Sequence, residues 1–191
     1  MSLPLHIQNW FIPISEHSKT LGQAFKSMQA NALAQNSIPL IIQLVENPKY
    51  EIPGLEFFSG STDLITHDYI HLLLGRGLLP KDEAFVLGFT MGSTNRVSDF
   101  EAKIYGLFSK FIYPKEYRFT QQDFEVYKDA VRLGFISDCK ALNKIQFEDY
   151  LNYSLPEART LIGIEESLLH AYYKIEKHRY PNSIESQRLL Q

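Results

Sequence analysis

Cysteine is almost absent: Cys139 stands alone in 191 residues. A lone thiol closes no intrachain disulfide, which excludes the small disulfide-framed scaffold and any zinc site built on cysteine pairs, and suits a reducing compartment. Charge of one sign is lacking too. With 19 basic against 22 acidic residues the formal net charge is −3, so no global field draws the chain to nucleic acid, and none is expected as a partner. Long apolar runs are missing as well. The longest stretch without a formally charged side chain, Ser27 to Val45, holds Gln29, Asn31, Gln35, Asn36 and Pro39, too polar for the roughly 20 residues that hydrocarbon demands. Met1 to Ser15 is apolar, but it lacks a basic n-region and is broken by Pro4 and Pro13. It reads as neither a secretory nor a mitochondrial presequence, so the expected location is cytoplasmic.

What remains is a chain able to bury one core. Hydrophobic residues make up 45% and aromatics 13%, and at this length about 70% of the unfolded surface is buried on folding. Helical periodicity dominates. Ser18 or Thr20 can cap a helix with Leu21, Phe25, Met28 and Leu33 on one face, up to Asn36. Ser37 to Val45 reads as a short buried helix, and Pro48 to Gly60 as loop. A third helix runs from Ser61 or Thr62, with Leu64, Ile65, Ile70 and Leu72 to Leu74 inside, and stops at Gly75. Pro80 opens a fourth, through Met91, in which Gly88 and Gly92 allow a bend or a close backbone approach. Further helices are predicted from near Ser98 to a stop at Pro114, from Thr120 to a stop at Gly134, and over Leu161 to Tyr180, with the polar tail from Asn182 fraying. No strand run or internal repeat is visible. The fold class predicted is all-α, a single-domain bundle of about six to eight helices.

Of the six histidines, His67 and His71 lie four apart, in His67-Asp68-Tyr69-Ile70-His71, and eleven residues later comes Glu83. On a helix the two imidazoles stack on one face about 6 Å apart along the axis, close enough to converge on one ion. Asp68 borders that face and can ligate or orient a ligand. The reversal at Gly75-Arg76-Gly77 and the helix start at Pro80 bring Glu83 back toward His71. Two imidazoles and two carboxylates suit Zn²⁺, Fe²⁺ or Mn²⁺ better than Mg²⁺ or Ca²⁺, and zinc is the first expectation. A competing reading makes Asp68 part of an exposed polar face, His71 a half-buried histidine bonded to a carbonyl, and Glu83 a dipole partner of its own helix.

The pattern His-Asp-x-x-His with a glutamate after eleven residues resembles the signature of the Coq4 family of coenzyme Q (ubiquinone) biosynthesis proteins. Three dispersed stretches agree with it. Thr20-Leu21-Gly22-Gln23-Ala24-Phe25 is similar to a segment of that family's first helix. Phe147-Glu148-Asp149-Tyr150-Leu151, and Leu155-Pro156-Glu157-Ala158-Arg159 with Leu161-Ile162-Gly163-Ile164, resemble its closing pattern. The resemblance divides the chain into an N-terminal arm, 1–17, a Coq4-like helical domain, 18–164, and a C-terminal helical extension and tail, 165–191. Departures are also plain. Asp63-Leu64-Ile65-Thr66 replaces an arginine-rich stretch before the His-Asp pair, and Asp82 replaces a glycine before the last ligand.

The resemblance implies a divalent metal at His67, Asp68, His71 and Glu83, which would also be the catalytic residues. It further implies a homodimer, peripheral contact with the inner face of a membrane, other quinone-biosynthesis proteins as partners, and a prenylated quinone precursor or other isoprenoid lipid as ligand. The implied activity is oxidative decarboxylation of a prenylated aromatic ring precursor, with a non-catalytic prenyl-lipid-binding scaffold as the alternative. A metal phosphohydrolase of the His-Asp type fits the compact spacing less well. Leu72, Leu73, Leu74, Phe85, Val86, Phe89 and Met91 could line a prenyl groove, with ordinary core as the default. Trp10 and Phe11 read as a packed arm rather than a membrane contact, and Arg76 and Lys81 as solvated charges rather than a headgroup clamp.

Overall fold

The computed structural model describes residues 10–32, 61–94 and 120–191. Among these the chain is all-α, with seven α-helices, two 3-10 turns and no sheet. The helices expected over Ser37 to Val45 and from Ser98 to a stop at Pro114, the loop from Pro48 to Gly60, and the end of the first helix beyond Ala32 lie outside the described residues.

Helix α1, Leu21–Ala32, starts where Thr20 and Gln23 cap each other: Gln23 N–H donates to Thr20 Oγ1 at 3.2 Å, and Thr20 N–H to Gln23 Oε1 at 3.0 Å. This satisfies two otherwise orphaned donors. Helices α2, Ser61–Leu74, and α3, Pro80–Gly92, are joined by a short reversal. Gly75 takes φ 62°, a left-handed conformation that a Cβ disfavours, and its N–H reaches Leu72 O at 3.3 Å while Arg76 N–H reaches His71 O at 2.9 Å. That paired closure ends α2. At the far side Asp82 accepts from Leu79 N–H at 3.3 Å, capping α3 beside Pro80.

Helix α4, Gln121–Ile136, begins at the predicted Thr120 and Asp123 box but does not stop at Gly134. Gly134 lies inside the helix at a contact. A Cβ there would stand 2.2 Å from Phe89 O, and Cβ atoms at Gly88 and Gly92 would stand 2.4 Å from Tyr127 O and 2.1 Å from Val131 O. Small residues at four-residue spacing on both helices thus let α3 and α4 pack backbone to backbone, running parallel. The predicted long helix over Leu161 to Tyr180 is two: α5, Leu155–Ile162, and α6, Glu166–Arg179, separated at Gly163 with φ 89°. A left-handed residue at that point terminates α5 before periodicity alone would. The tail does not fray among these residues either. Helix α7, Ile184–Arg188, is capped by Ser183, and Leu189 is fully buried.

The segments singled out in sequence meet in space. Leu21 N–H and Gly22 N–H donate to Tyr153 O and Leu151 O at 2.9 and 3.0 Å, and Leu155 N–H donates to Lys19 O at 3.0 Å. Tyr69 of α2 packs between them, its ring 4.3 Å from Phe25 and 5.4 Å from Phe147 between centroids. Trp10, Ile12 and Ile14 are buried, so the arm packs as expected. Leu72, Leu73, Leu74, Phe85, Val86, Phe89 and Met91 are also buried, at most 5% exposed, which is the default core reading. Ile65, expected inside, is 41% exposed. No helix among the described residues is long and apolar enough to cross a membrane.

Candidate metal centre

His67 and His71 stand one turn apart on α2, and Glu83 projects from the first turn of α3. All three are buried. His67 Nε2 lies 2.9 Å from Glu83 Oε2, His71 Nε2 lies 2.9 Å from His67 Nε2, and His71 Nε2 lies 3.3 Å from Glu83 Oε2. Three ligand atoms therefore form one small triangle. The imidazole rings meet edge to face, at 79° with centroids 4.5 Å apart, so both Nε2 atoms turn inward.

Hydrogen bonding alone cannot satisfy this triangle. If both Nε2 atoms carry protons to Glu83, two N–H groups face each other; if one is bare, it accepts from the other ring but no longer donates to the carboxylate. One edge is always unsatisfied. A dication replaces the protons and attracts all three lone pairs at once. With bonds of about 2.0–2.1 Å, neighbouring ligand atoms sit roughly 2.9 Å apart in an octahedral shell and about 3.3 Å in a tetrahedral one. The observed edges fall on that range, so the residues fit a divalent ion with nitrogen and oxygen ligands.

Electrostatics follow the same pattern. Burial by itself pushes the Glu83 carboxyl up, but His71 and His67 beside it hold it well below the usual carboxylate range. Burial disfavours a charged His71, and Glu83 more than reverses that, raising its imidazole above the ordinary value. Nδ1 of His71 is buried without a hydrogen-bond partner among the described residues. The carbonyl-bonded histidine of the competing reading is thus absent here.

Asp68 is not a corner of the triangle. It is half-buried next to the cluster, and the group of mutually close ligand atoms among the described residues consists of His67, His71 and Glu83. Burial raises its carboxyl above the ordinary value, against the pull of His67 and His71. The helical rotation that put Asp68 beside the ligand stripe in sequence also keeps it off the stripe's axis.

The charges flanking the site depart from expectation. Arg76 is fully buried, not solvated. Its Nη1 and Nη2 donate to Glu176 Oε1 and Oε2 at 3.0 and 2.6 Å, and its guanidinium lies 3.7 Å over Phe85 and 4.5 Å over Tyr173. Lys81 is 4% exposed, donates to Gln122 at 3.2 Å and lies over Tyr180. The partner of Arg76 is 100 positions away, so no local pattern signalled it. Arg159 entered the sequence reading only as part of a motif stretch, with no role given to it. It is fully buried and donates to Leu73 O at 2.7 Å, to Ile14 O at 2.9 Å and to Glu166 at 2.7 Å, bracing the end of α2 together with Tyr173, whose hydroxyl reaches Leu74 O at 2.5 Å.

Compared with known proteins, the chain matches no family model, no curated protein and no solved structure.

Proposed function

We propose that this chain is a divalent-metal protein whose ion is held by His67, His71 and Glu83, with Asp68 as the adjacent carboxylate. One observation carries the reading: three buried ligand atoms 2.9 to 3.3 Å apart, an arrangement that proton sharing cannot fully satisfy. Zinc is the first choice, with iron or manganese as alternatives, because the set mixes imidazole and carboxylate. Such an ion supplies Lewis acidity to an oxygen ligand or, if iron or manganese, a redox centre. Asp68, half-buried beside the ligands, would exchange a proton with a group bound there.

The finer proposal rests on the motif resemblance. In it the protein belongs to quinone metabolism, takes a prenylated aromatic acid as substrate, and uses the metal near the ring carboxylate during oxidative decarboxylation. A homodimer, peripheral membrane contact and association with other quinone-biosynthesis proteins belong to the same proposal. The test is elemental analysis of the purified protein together with mass spectrometry of its organic extract. The reading predicts near-stoichiometric metal, lost in His71→Ala, and an isoprenoid lipid in the extract. Protein that takes up no zinc, iron or manganese on titration overturns the metal centre. Metal without any isoprenoid affinity leaves the centre standing and removes the quinone assignment.

A further inference from the structure

The two metal-bearing helices are joined by a turn whose ends are both tied into a second buried cluster. Arg76 N–H holds His71 O at 2.9 Å, so the backbone of Arg76 closes the last turn of the ligand helix. Asp82 precedes Glu83 and caps α3 through Leu79 N–H. Between these two ends the side chains of Arg76 and Asp82 approach to 3.9 Å. Neither is left to itself: Glu176 of α6 grips Arg76 with both carboxylate oxygens and also accepts from Ser186 Oγ at 2.9 Å. Arg188 of α7 donates to Asp82 Oδ2 and lies 4.8 Å from the Phe11 ring of the arm. Gly77 leaves the space that the Arg188 guanidinium fills, since a Cβ there would stand 2.0 Å from its Nη2.

Resting on the reading of His67, His71 and Glu83 as a metal centre, we propose that Arg76 and Arg188 are positioning residues for it, Arg188 clamping Asp82 so that Glu83 meets the two histidines. Affinity for the ion then depends on α7, more than 100 positions from the ligands in sequence. The physical reason is that Glu83 supplies one corner of a triangle with 2.9 and 3.3 Å edges. A shift of α3 by a fraction of a bond length takes its oxygen off the ion. Two cations and two carboxylates cancel within the cluster, which therefore holds the turn without adding net charge beside the dication.

The experiment uses the full chain and Zn²⁺. Affinity is measured by competition with a chromophoric chelator, and stability of each metal-free variant by urea denaturation. Arg188→Met and Asp82→Asn are expected to lower Zn²⁺ affinity about 10- to 100-fold, the range seen when groups behind metal ligands are removed. Arg188→Lys, which keeps the charge and loses the fork, is expected to fall between. Ile162→Ala hollows the core on α5 and is the control: it lowers stability while affinity stays at the wild-type value. Arg188→Met and Arg188→Lys that bind Zn²⁺ like wild type overturn the proposal. If Arg188→Met does not fold, Arg188→Lys and Asp82→Asn decide it alone. Failure of the wild-type chain to bind zinc, iron or manganese overturns the metal centre instead, a result read before any variant is made.

Discussion

Two buried polar clusters share one turn of this protein, and they are built on opposite principles. In the arginine cluster every charge meets its opposite: Arg76 with Glu176 and Asp82, and Arg188 with Asp82, with Phe85 and Tyr173 covering the Arg76 guanidinium. In the histidine cluster two like nitrogens are pressed to 2.9 Å around a single carboxylate. A buried group that finds its complement inside the protein is structure. In the histidine cluster one proton cannot serve all three edges of the triangle, and the proposed ion rests on that geometry.

That contrast can be broken by removing one member from each cluster. Arg76→Ala carries the largest effect, a loss of about 3–5 kcal/mol, because Glu176 is left charged and buried without its partner; urea denaturation of the metal-free protein measures it. His71→Ala in the same assay should cost less, and its effect should show instead in the response to metal. Zinc at about 100 times its dissociation constant should stabilise the wild type by roughly 2.7 kcal/mol and leave His71→Ala where it was. Equal losses in both metal-free variants would erase the distinction. Gly77→Ala sharpens it from the outside: the added methyl stands against Arg188 and Trp10 O, and overpacking of this kind costs about 1–3 kcal/mol. Cys139 belongs to neither cluster. Burial raises its thiol above the ordinary value and it is 8% exposed, so the native protein should react slowly with a thiol reagent and rapidly in denaturant. Cys139→Ala should leave zinc content unchanged at a cost of about 1 kcal/mol.

The smallest effect is a pH dependence remote from both clusters. Ser154 donates through N–H and hydroxyl to Glu157, holding this carboxyl below its ordinary value of 4.5. Stability from this cap is complete above that ordinary value and fades as pH falls through the lower folded one. Ser154→Ala keeps the N–H and loses the hydroxyl, so it should shrink that acid-side component in a stability profile measured by denaturation at successive pH values.

Much of the ligand helix was legible in the sequence because its signals are local. Four-residue spacing puts His67 and His71 on one face whatever surrounds them, Gly75 ends the helix, and Pro80 starts the next. The same local reasoning misjudged Gly134 and Gly163. A glycine within a helix and a glycine ending one look alike until the neighbouring backbone at Phe89 O, or the left-handed φ of 89°, is known. The polar tail from Asn182 read as solvated for a similar reason. Its composition is that of a surface segment, yet Ser186 is fully buried against Glu176 and Arg188 is buried against Asp82.

By itself, then, the sequence determined the all-α class, the capping at Thr20 and Thr120, and the stripe that presents two imidazoles. Tertiary structure decided which carboxylate closes the triangle, leaving Asp68 at its side, and which charges are buried. The physical reason is range. Periodicity, caps and turns act over a few residues, whereas burial of a charge depends on a partner that only the packed fold brings within reach.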